Sequence, residues 1–222
     1  MELEETKFSD LDIDIPSNLS EKIKKGLIKA SIHKNGRFQP HPAGVYFYRN
    51  IPSYNEYSLL DYKEMEQHGI QKIDFLNNSV LDEISPDQFP KLLDKIDKEE
   101  IDWKELYKDN DVYQLSNYPG ILREFKVQSV LDIAIVLAII RPGARHNYDK
   151  LKKIIHTDNL LKLKSGEEYD ILKDTYGIPV FKEQFDALGI DKGLFTYKKP
   201  HSIGYAYVLL LKHLTKIQKN VK

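Results

Sequence analysis

The sequence contains no cysteine among its 222 residues. This absence excludes a disulfide scaffold, a zinc site built from thiolates and a cysteine nucleophile, and it fits a reducing compartment. An excess of charge of one sign is also missing, because 33 lysines and arginines face 34 acidic residues and the formal net charge is −1. A balance near zero does not indicate general nucleic-acid binding, so any basic surface must be local.

Long apolar runs are scarce as well. The longest, residues 130–140, contains Asp132 and is too short to span a bilayer. The first ten residues, MELEETKFSD, are acidic and polar and are not typical of a signal peptide. Hydrophobic residues make up 41% of the chain, so we expect a cytoplasmic protein with a real core, no membrane partner, and one large domain or two small ones.

The strongest local pattern is the strict alternation of residues 8–15, F-S-D-L-D-I-D-I. As a strand, this segment would have one apolar face and one face of three aspartates. Same-face carboxylates two residues apart are roughly 6–7 Å apart at Cα, close enough to share divalent cations. A solvated edge strand whose acids prevent aggregation is an alternative. A calcium loop is another, although Ile15 stands where that loop needs glycine.

Hydrophobic periodicity divides the remaining chain into a strand-rich part and a helical part, with the change near residue 77. The predicted strand-rich part comprises a helix at 17–28, a loop at 33–44 and strands at 45–48, 57–62 and 69–76. The predicted helices of the second part are 85–96, 98–107, 120–125, 129–140, 147–155, 178–188 and 201–219, with an extended piece at 112–115.

A series of short blocks carries a family resemblance. The blocks are SDLDIDI (9–15), HPAGV (41–45), GIQKIDFL (69–76), VYQL (112–115), AIIRPGA (138–144), TYGIPVFKEQ (175–184) and KPHSIGYA (199–206). In this order they resemble P-D-F-D-I-D-F, H-A-G-G-V, G-L-x-K-F-D-F-L, V-F-Q-L, A-L-x-R-P-G-P, T-Y-G-I-x-x-Y-Q-E-Q and K-S-H-S-x-x-Y-A of the alpha subunit of bacterial DNA polymerase III, the C family of DNA polymerases. No single block is specific, but their shared order covers nearly the whole chain.

The resemblance implies an α+β fold: a mixed-sheet nucleotidyltransferase-type palm in residues 1–84, with the catalytic acidic strands, and a helical fingers region in residues 85–222. It implies addition of deoxynucleotides to a primer 3′-hydroxyl with two Mg²⁺ ions. Asp10 and Asp12 would hold both ions, and Asp74, on a neighbouring strand, would act on the 3′-hydroxyl through the first ion. These acids suit the reaction, because phosphoryl transfer needs its charge neutralised and its two oxygens aligned.

The implied partners are primer–template DNA, deoxynucleoside triphosphates and another polymerase subunit or fragment. The resemblance places Lys72 and Arg141 near the triphosphate. Lys72 could instead form an ordinary ion pair with its neighbour Asp74. Arg141 could instead stabilise the C-terminus of the apolar helix, where a cation is favoured.

Two further pairs of residues are weaker candidates for nucleotide binding. His41 and Gly44 match the palm loop that touches nucleotide or primer, although a lone loop histidine is more often structural. His201 and Ser202 match a fingers contact near nucleotide or template. They could instead cap the last helix, where a serine hydroxyl satisfies early N–H groups.

The chain departs from the family pattern in two places. The family carries a thumb before the block at His41, where only one helix fits here. It also carries a long insertion with an R-R-A-M-G-K-K run between Gln184 and Lys199, where about 14 residues remain. Because affinity grows with the number of phosphates neutralised, we expect a reduced or partner-dependent polymerase. A catalytically inactive accessory that binds DNA or a replication partner, and another nucleotidyltransferase activity, are the alternatives.

Overall fold

The computed structural model describes residues 11–48, 50–110, 112–157, 166–191 and 195–220, including their side chains except those of 11, 12 and 220. The chain divides into two compact units, Met1–Ser85 and Pro86–Lys222. The first unit contains a mixed sheet and the second contains helices. The predicted α+β class is therefore confirmed, whereas the assignment of the two parts as palm and fingers stays a prediction.

A six-stranded mixed sheet forms the first unit, in the order β1-β6-β3-β2-β5-β4. Its strands are β1 (Leu11–Ile15), β2 (Ile28–Lys34), β3 (Arg37–Tyr46), β4 (Ser53–Tyr54), β5 (Tyr57–Asp61) and β6 (Ile73–Asn77). Two pairs are parallel, β1 with β6 and β2 with β5. The other neighbours are antiparallel.

The alternation of β1 buries its apolar side. Ile15, Val45 and Phe75, from β1, β3 and β6, form one buried cluster, against which Ile13 and Ile23 pack. Pro16 ends β1, because it cannot donate to a strand ladder. The helices of this unit are α1 (Ser17–Lys24), α2 (Tyr62–Gln67) and α3 (Ser79–Asp82).

Two predictions in the first unit are wrong. The predicted helix 17–28 ends at Lys24, and Ile28 already belongs to β2. The predicted loop 33–44 is mostly strand, because β2 and β3 form a hairpin that turns at Asn35-Gly36, with φ of 53° and 71°. Two central residues at positive φ are typical of the tight turn that matches strand twist. The two prolines of β3 are tolerated, because β3 pairs with β6 only at Gly44 and Val45.

The second unit is organised around the apolar helix α7. Its helices are α4 (Phe89–Asp97), α5 (Trp103–Leu106), α6 (Ile121–Glu124), α7 (Val130–Ile139), α8 (Tyr148–Ile154), α9 (Glu167–Leu172), α10 (Lys182–Ala187) and α11 (Lys199–Asn220). Short 3-10 helices lie at Arg145–Asn147 and Lys173–Thr175. Residues 132–139 of α7 are all buried, and α7 packs against α11.

Most predicted helices of this unit exist, several of them shorter than expected. The predicted extended piece 112–115 is wrong, since Tyr113 to Leu115 form a turn with Gln114 at φ 61°. Within the described residues, no helix has both the length and the apolar character required to cross a membrane.

Candidate active site

Three strands bring the central candidates together. In the parallel pair of β1 and β6, Asp12 is the Cα partner of Asp74. On the other side of β6, the antiparallel pairing with β3 sets Gly44 opposite Asp74. Asp74 therefore lies between Asp12 and Gly44 in the sheet. Asp10 and the Asp12 side chain lie outside the described residues.

The Asp74 carboxylate is nearly buried and forms an ion pair on one of its two oxygens. Lys72 Nζ donates to Asp74 Oδ2 at 2.7 Å, and the two side chains are 5% and 14% exposed. Lys72 is the residue just before β6, which begins at Ile73, and residues two apart in an extended chain share a face, which explains why this pair forms. The local ion pair considered as an alternative for Lys72 is thus present, and Lys72 Nζ also lies over the Tyr62 ring, 5.4 Å from its centroid.

The second oxygen of Asp74 accepts no hydrogen bond from the described residues. Asp74 Oδ1 is buried without a hydrogen-bond partner among the described residues. Its neighbour His41 Nδ1, 3.8 Å away, accepts the backbone N–H of Gly44 at 2.9 Å. A ring nitrogen that accepts a hydrogen bond carries a lone pair and cannot also donate. Two acceptors therefore face each other, an arrangement that a cation would stabilise.

Gly44 fills a position where a side chain does not fit. A Cβ built on Gly44 would lie 2.9 Å from Asp74 Oδ1, 2.9 Å from His41 Nδ1 and 3.0 Å from the Ala30 Cβ. These separations are below the 3.4 Å of ordinary contact. The missing side chain is therefore what allows the carboxylate and the imidazole to approach the same stretch of backbone.

Tyr62 completes the site and was missed from the sequence. Its ring lies 5.4 Å from the His41 ring and 5.4 Å from Lys72 Nζ. It begins α2 immediately after Asp61, whose carboxylate caps that helix. The sequence signal, an aspartate followed three residues later by Glu64, is a capping box.

A complete metal-binding group is not found among the described side chains, where no three histidine, aspartate or glutamate residues are suitably placed together. The carboxylates of Asp10 and Asp12 are not among those side chains. The third acid of the first strand, Asp14, is engaged by Asn78, whose amide donates to Asp14 Oδ1 at 3.3 Å.

Arg141 belongs to the second unit, just after α7. It is exposed, and its guanidinium carbon lies 4.1 Å from the Tyr197 ring centroid. Stacking on an aromatic ring holds a guanidinium in place without using its N–H donors. Arg141 therefore keeps donors available, although its position at the end of α7 also fits the alternative of stabilising the helix C-terminus.

His201 and Ser202 lie in the first turn of α11. The prediction that Ser202 caps this helix is wrong, because α11 begins at Lys199 and the buried Ser202 hydroxyl has no hydrogen-bond partner among the described residues. Glu183, at the start of α10, caps this helix instead: its Oε1 accepts the Lys199 N–H at 2.8 Å.

The structure thus divides the predicted site residues into two sets. Lys72, Asp74, His41 and Gly44 meet in the first unit, beside the Asp12 backbone. Arg141, His201 and Ser202 belong to the second unit.

Comparison with known proteins bears on both sets. The family model described as bacterial DNA polymerase III alpha subunit finger domain matches residues 63–200, more than half of the chain. The chain belongs to this family. The finger-domain match contains Lys72, Asp74 and Arg141, whereas the remaining predicted site residues lie outside it.

Curated relatives of this finger-domain chain are named DNA polymerase III subunit alpha. The Mycoplasma pneumoniae protein is 31% identical over 116 residues, which cover 50% of this chain and 13% of the relative. The Mycoplasma genitalium protein is 28% identical over 111 residues, covering 49% and 12%. The Ureaplasma parvum protein is 27% identical over 144 residues, covering 59% and 14%. The matched region therefore spans only about one seventh of each relative or less.

Proposed function

We propose that the chain takes part in DNA-directed DNA polymerisation, as a reduced polymerase of the C family or as a piece that works with a partner chain. In this proposal the first unit is a nucleotidyltransferase-type palm and the second unit is the fingers region. The substrates are a primer–template and deoxynucleoside triphosphates, and the reaction is attack of the primer 3′-hydroxyl on the α-phosphate. Membership of the finger-domain family supports this proposal.

The proposal depends on Asp74 Oδ1, the buried carboxylate oxygen that has no hydrogen-bond partner among the described residues. A buried acceptor without a donor costs roughly 1–3 kcal/mol, and here a second acceptor, His41 Nδ1, stands 3.8 Å away. Residue 12 is the Cα partner of residue 74 on the adjacent strand. A cation bound at this place would relieve the unfavourable arrangement.

The donor chemistry fits Mg²⁺, which prefers carboxylate oxygens and retains several waters. Asp10, Asp12 and Asp74 would hold it. When bound, the metal neutralises phosphate charge and makes the 3′-hydroxyl a better nucleophile.

The chain's own residues have separate tasks in this proposal. Lys72 balances the charge of Asp74 through Oδ2 and leaves Oδ1 available. Gly44 and His41 fix the space beside that oxygen. Arg141, stacked on Tyr197, would contact the triphosphate oxygens with its free N–H donors.

Primer extension tests the proposal. Purified chain, a primer–template, labelled nucleotide and Mg²⁺ or Mn²⁺ should give slow, non-processive extension. Asp74→Asn should lower the rate on the order of 100-fold or more, since it removes an anion at the reacting centre. Asp87→Asn is the matched control. Asp87 is exposed, so the chain with this change should extend primers normally. Absence of extension at every protein concentration, without and with co-purified polymerase subunits, would remove the enzymatic claim.

A non-catalytic accessory is the second candidate, and one observation favours it. The Lys72–Asp74 pair is nearly buried, as expected of an ion pair kept for structure. Calorimetric titration separates the two candidates. A catalytic palm should bind divalent ions at the face of Asp74 and lose this binding in Asp74→Asn, whereas an accessory need bind none.

A further inference from the structure

A second surface of the first unit lies on the hairpin of β2 and β3. Every residue from 33 to 40 is exposed, so the turn at Asn35-Gly36 projects from the sheet with both of its faces in solvent. We name His33, Lys34, Arg37, Phe38 and Tyr57 the hairpin platform. None of them belongs to the site around Asp74.

Aromatic rings form the first half of the hairpin platform. Phe38 is 51% exposed, although burial of such a side chain would stabilise the fold. It is held edge-on by the Tyr57 ring at 5.5 Å and the His33 ring at 6.0 Å. Tyr54, the partner of Tyr57 in the β4–β5 pair, is 72% exposed. A half-exposed ring that is held in place by two neighbouring rings is suited to stacking with a planar ligand.

Unpaired cations form the second half. Lys34 and Arg37 flank the turn, and Lys63 lies at the start of α2. Within the described part of the chain, Lys34 and Arg37 form no ion pair with an acidic side chain, whereas Lys63 interacts with the Asp61 carboxylate. By contrast, Lys29, above the Tyr57 ring, is paired with Glu56 at 3.3 Å. Lys34 and Arg37 therefore give the turn a local positive charge although the whole chain is balanced.

The acids near these cations are occupied by backbone donors. Asp61 accepts the N–H groups of His33 at 2.6 Å and Lys63 at 2.9 Å. Although burial opposes it, the pKa of Asp61 is lowered, because these two N–H groups stabilise its carboxylate. Glu64 accepts the Asp61 N–H at 3.0 Å. These acids serve the N-terminus of α2, and Asp61 also interacts with the side chains of His33 and Lys63, so the cations at the turn itself, Lys34 and Arg37, are those left for a ligand.

A cleft lies beside the hairpin platform. It has a volume of about 610 Å³ and is lined by His33, Lys34, Lys63 and Tyr62, together with Ile32 and the acids Asp61 and Glu64. Tyr62 is also the residue that contacts His41 and Lys72. Tyr62 therefore borders both the cleft and the residues around Asp74.

We propose that the hairpin platform binds single-stranded nucleic acid. Exposed rings that accept bases, combined with cations that follow phosphates, are the means by which proteins bind single strands without sequence preference. A duplex would not stack on the exposed Phe38 ring, because its bases are already stacked on one another. The inference goes beyond the proposed catalysis and does not require it.

Fluorescence anisotropy of a labelled single-stranded oligonucleotide of about 16 nucleotides, DNA in one arm and RNA in the other, tests the proposal. Phe38→Ala should weaken binding by roughly five-fold or more through lost stacking, and Phe38→Trp should restore it. Arg37→Ala should reduce the salt dependence of log K by about 0.7, the value for one phosphate contact on a single strand.

Matched controls are available in the chain. Phe195, 67% exposed, and Lys25, exposed after α1, are the aromatic and the cation outside the platform, so Phe195→Ala and Lys25→Ala should bind normally. Asp74→Asn should also bind normally, which separates failure of this proposal from failure of the catalytic one. Equal affinities of Phe38→Ala and Phe195→Ala, or equally strong competition by a blunt duplex, would overturn the proposal.

Discussion

Gly44→Ala is the most informative single change, because it adds only one carbon beside the candidate carboxylate. The added Cβ would be 2.9 Å from both Asp74 Oδ1 and His41 Nδ1, about half an ångström closer than ordinary contact. These side-chain ends can rotate away, but the Ala30 Cβ, at 3.0 Å, cannot. Overpacking of this kind costs about 1–3 kcal/mol.

The expected result is a loss of stability together with displacement of Asp74. For a urea m-value of about 2 kcal/mol/M, the midpoint should fall by about 0.5–1.5 M. The only tryptophan is Trp103, which belongs to the second unit. Unfolding of the first unit is therefore followed by far-ultraviolet circular dichroism. Primer extension and divalent-ion binding should fall with the displacement of the carboxylate.

Gly204→Ala is the matched control, since nothing lies within 4 Å of the Cβ built there. Gly204 lies inside α11, where alanine is favoured over glycine by about 0.5–1 kcal/mol. The two glycine-to-alanine changes should therefore shift stability in opposite directions. A Gly44→Ala chain as stable and as active as Gly204→Ala would refute the crowding argument.

Three further predictions concern buried polar groups. Lys72→Met should lower the free energy of unfolding by about 3–5 kcal/mol, because it leaves a buried carboxylate uncompensated; in urea titrations, the double variant with Asp74→Asn should recover most of this loss. Gln184→Leu should cost about 2–4 kcal/mol, since its amide makes four hydrogen bonds; an unchanged Trp103 fluorescence midpoint would contradict this. Burial raises the pKa of Tyr46 from 10.0 to about 12, so its contribution to stability is complete below pH 10 and is lost as pH rises towards 12. Tyr46→Phe should flatten this alkaline decline, and an identical pH profile would disprove it.

Sequence periodicity predicted the strands that have one apolar face and the helix that is apolar on all sides. β1 and β6 alternate, and α7 is apolar throughout, so each was visible without tertiary information. Periodicity alone does not tell which strands are neighbours. The expectation that Asp74 lies on a strand beside the first acidic strand came from the family resemblance, and the pairing of β1 with β6 agrees with it.

The hairpin was missed because two signals in the sequence conflict. Asn35-Gly36 is a strong hairpin signal, whereas the prolines at 40 and 42 argue against a strand. The loop was predicted from the glycines, prolines and basic groups of residues 33–44 taken together. The structure resolves the conflict, because β3 needs its second partner only near Gly44 and Val45.

The side-chain contacts that define the candidate site could not be predicted from the sequence. The spacing of Lys72 and Asp74 predicts an ion pair. It does not predict that Lys72 contacts only one of the two carboxylate oxygens. The role of His41 as acceptor from Gly44 is a side-chain contact within β3 that the residue types alone do not predict. Such details follow from tertiary packing and not from residue types.

The place of β1 at the end of the sheet has a consequence for how activity would be lost. Among the described residues, β1 has one strand neighbour, β6, and Pro16 follows it directly. A strand held along one side opens more easily than one held along both. Heating or mild denaturant should therefore detach Asp12 from Asp74 while the rest of the sheet stays folded, so function fails before the fold does.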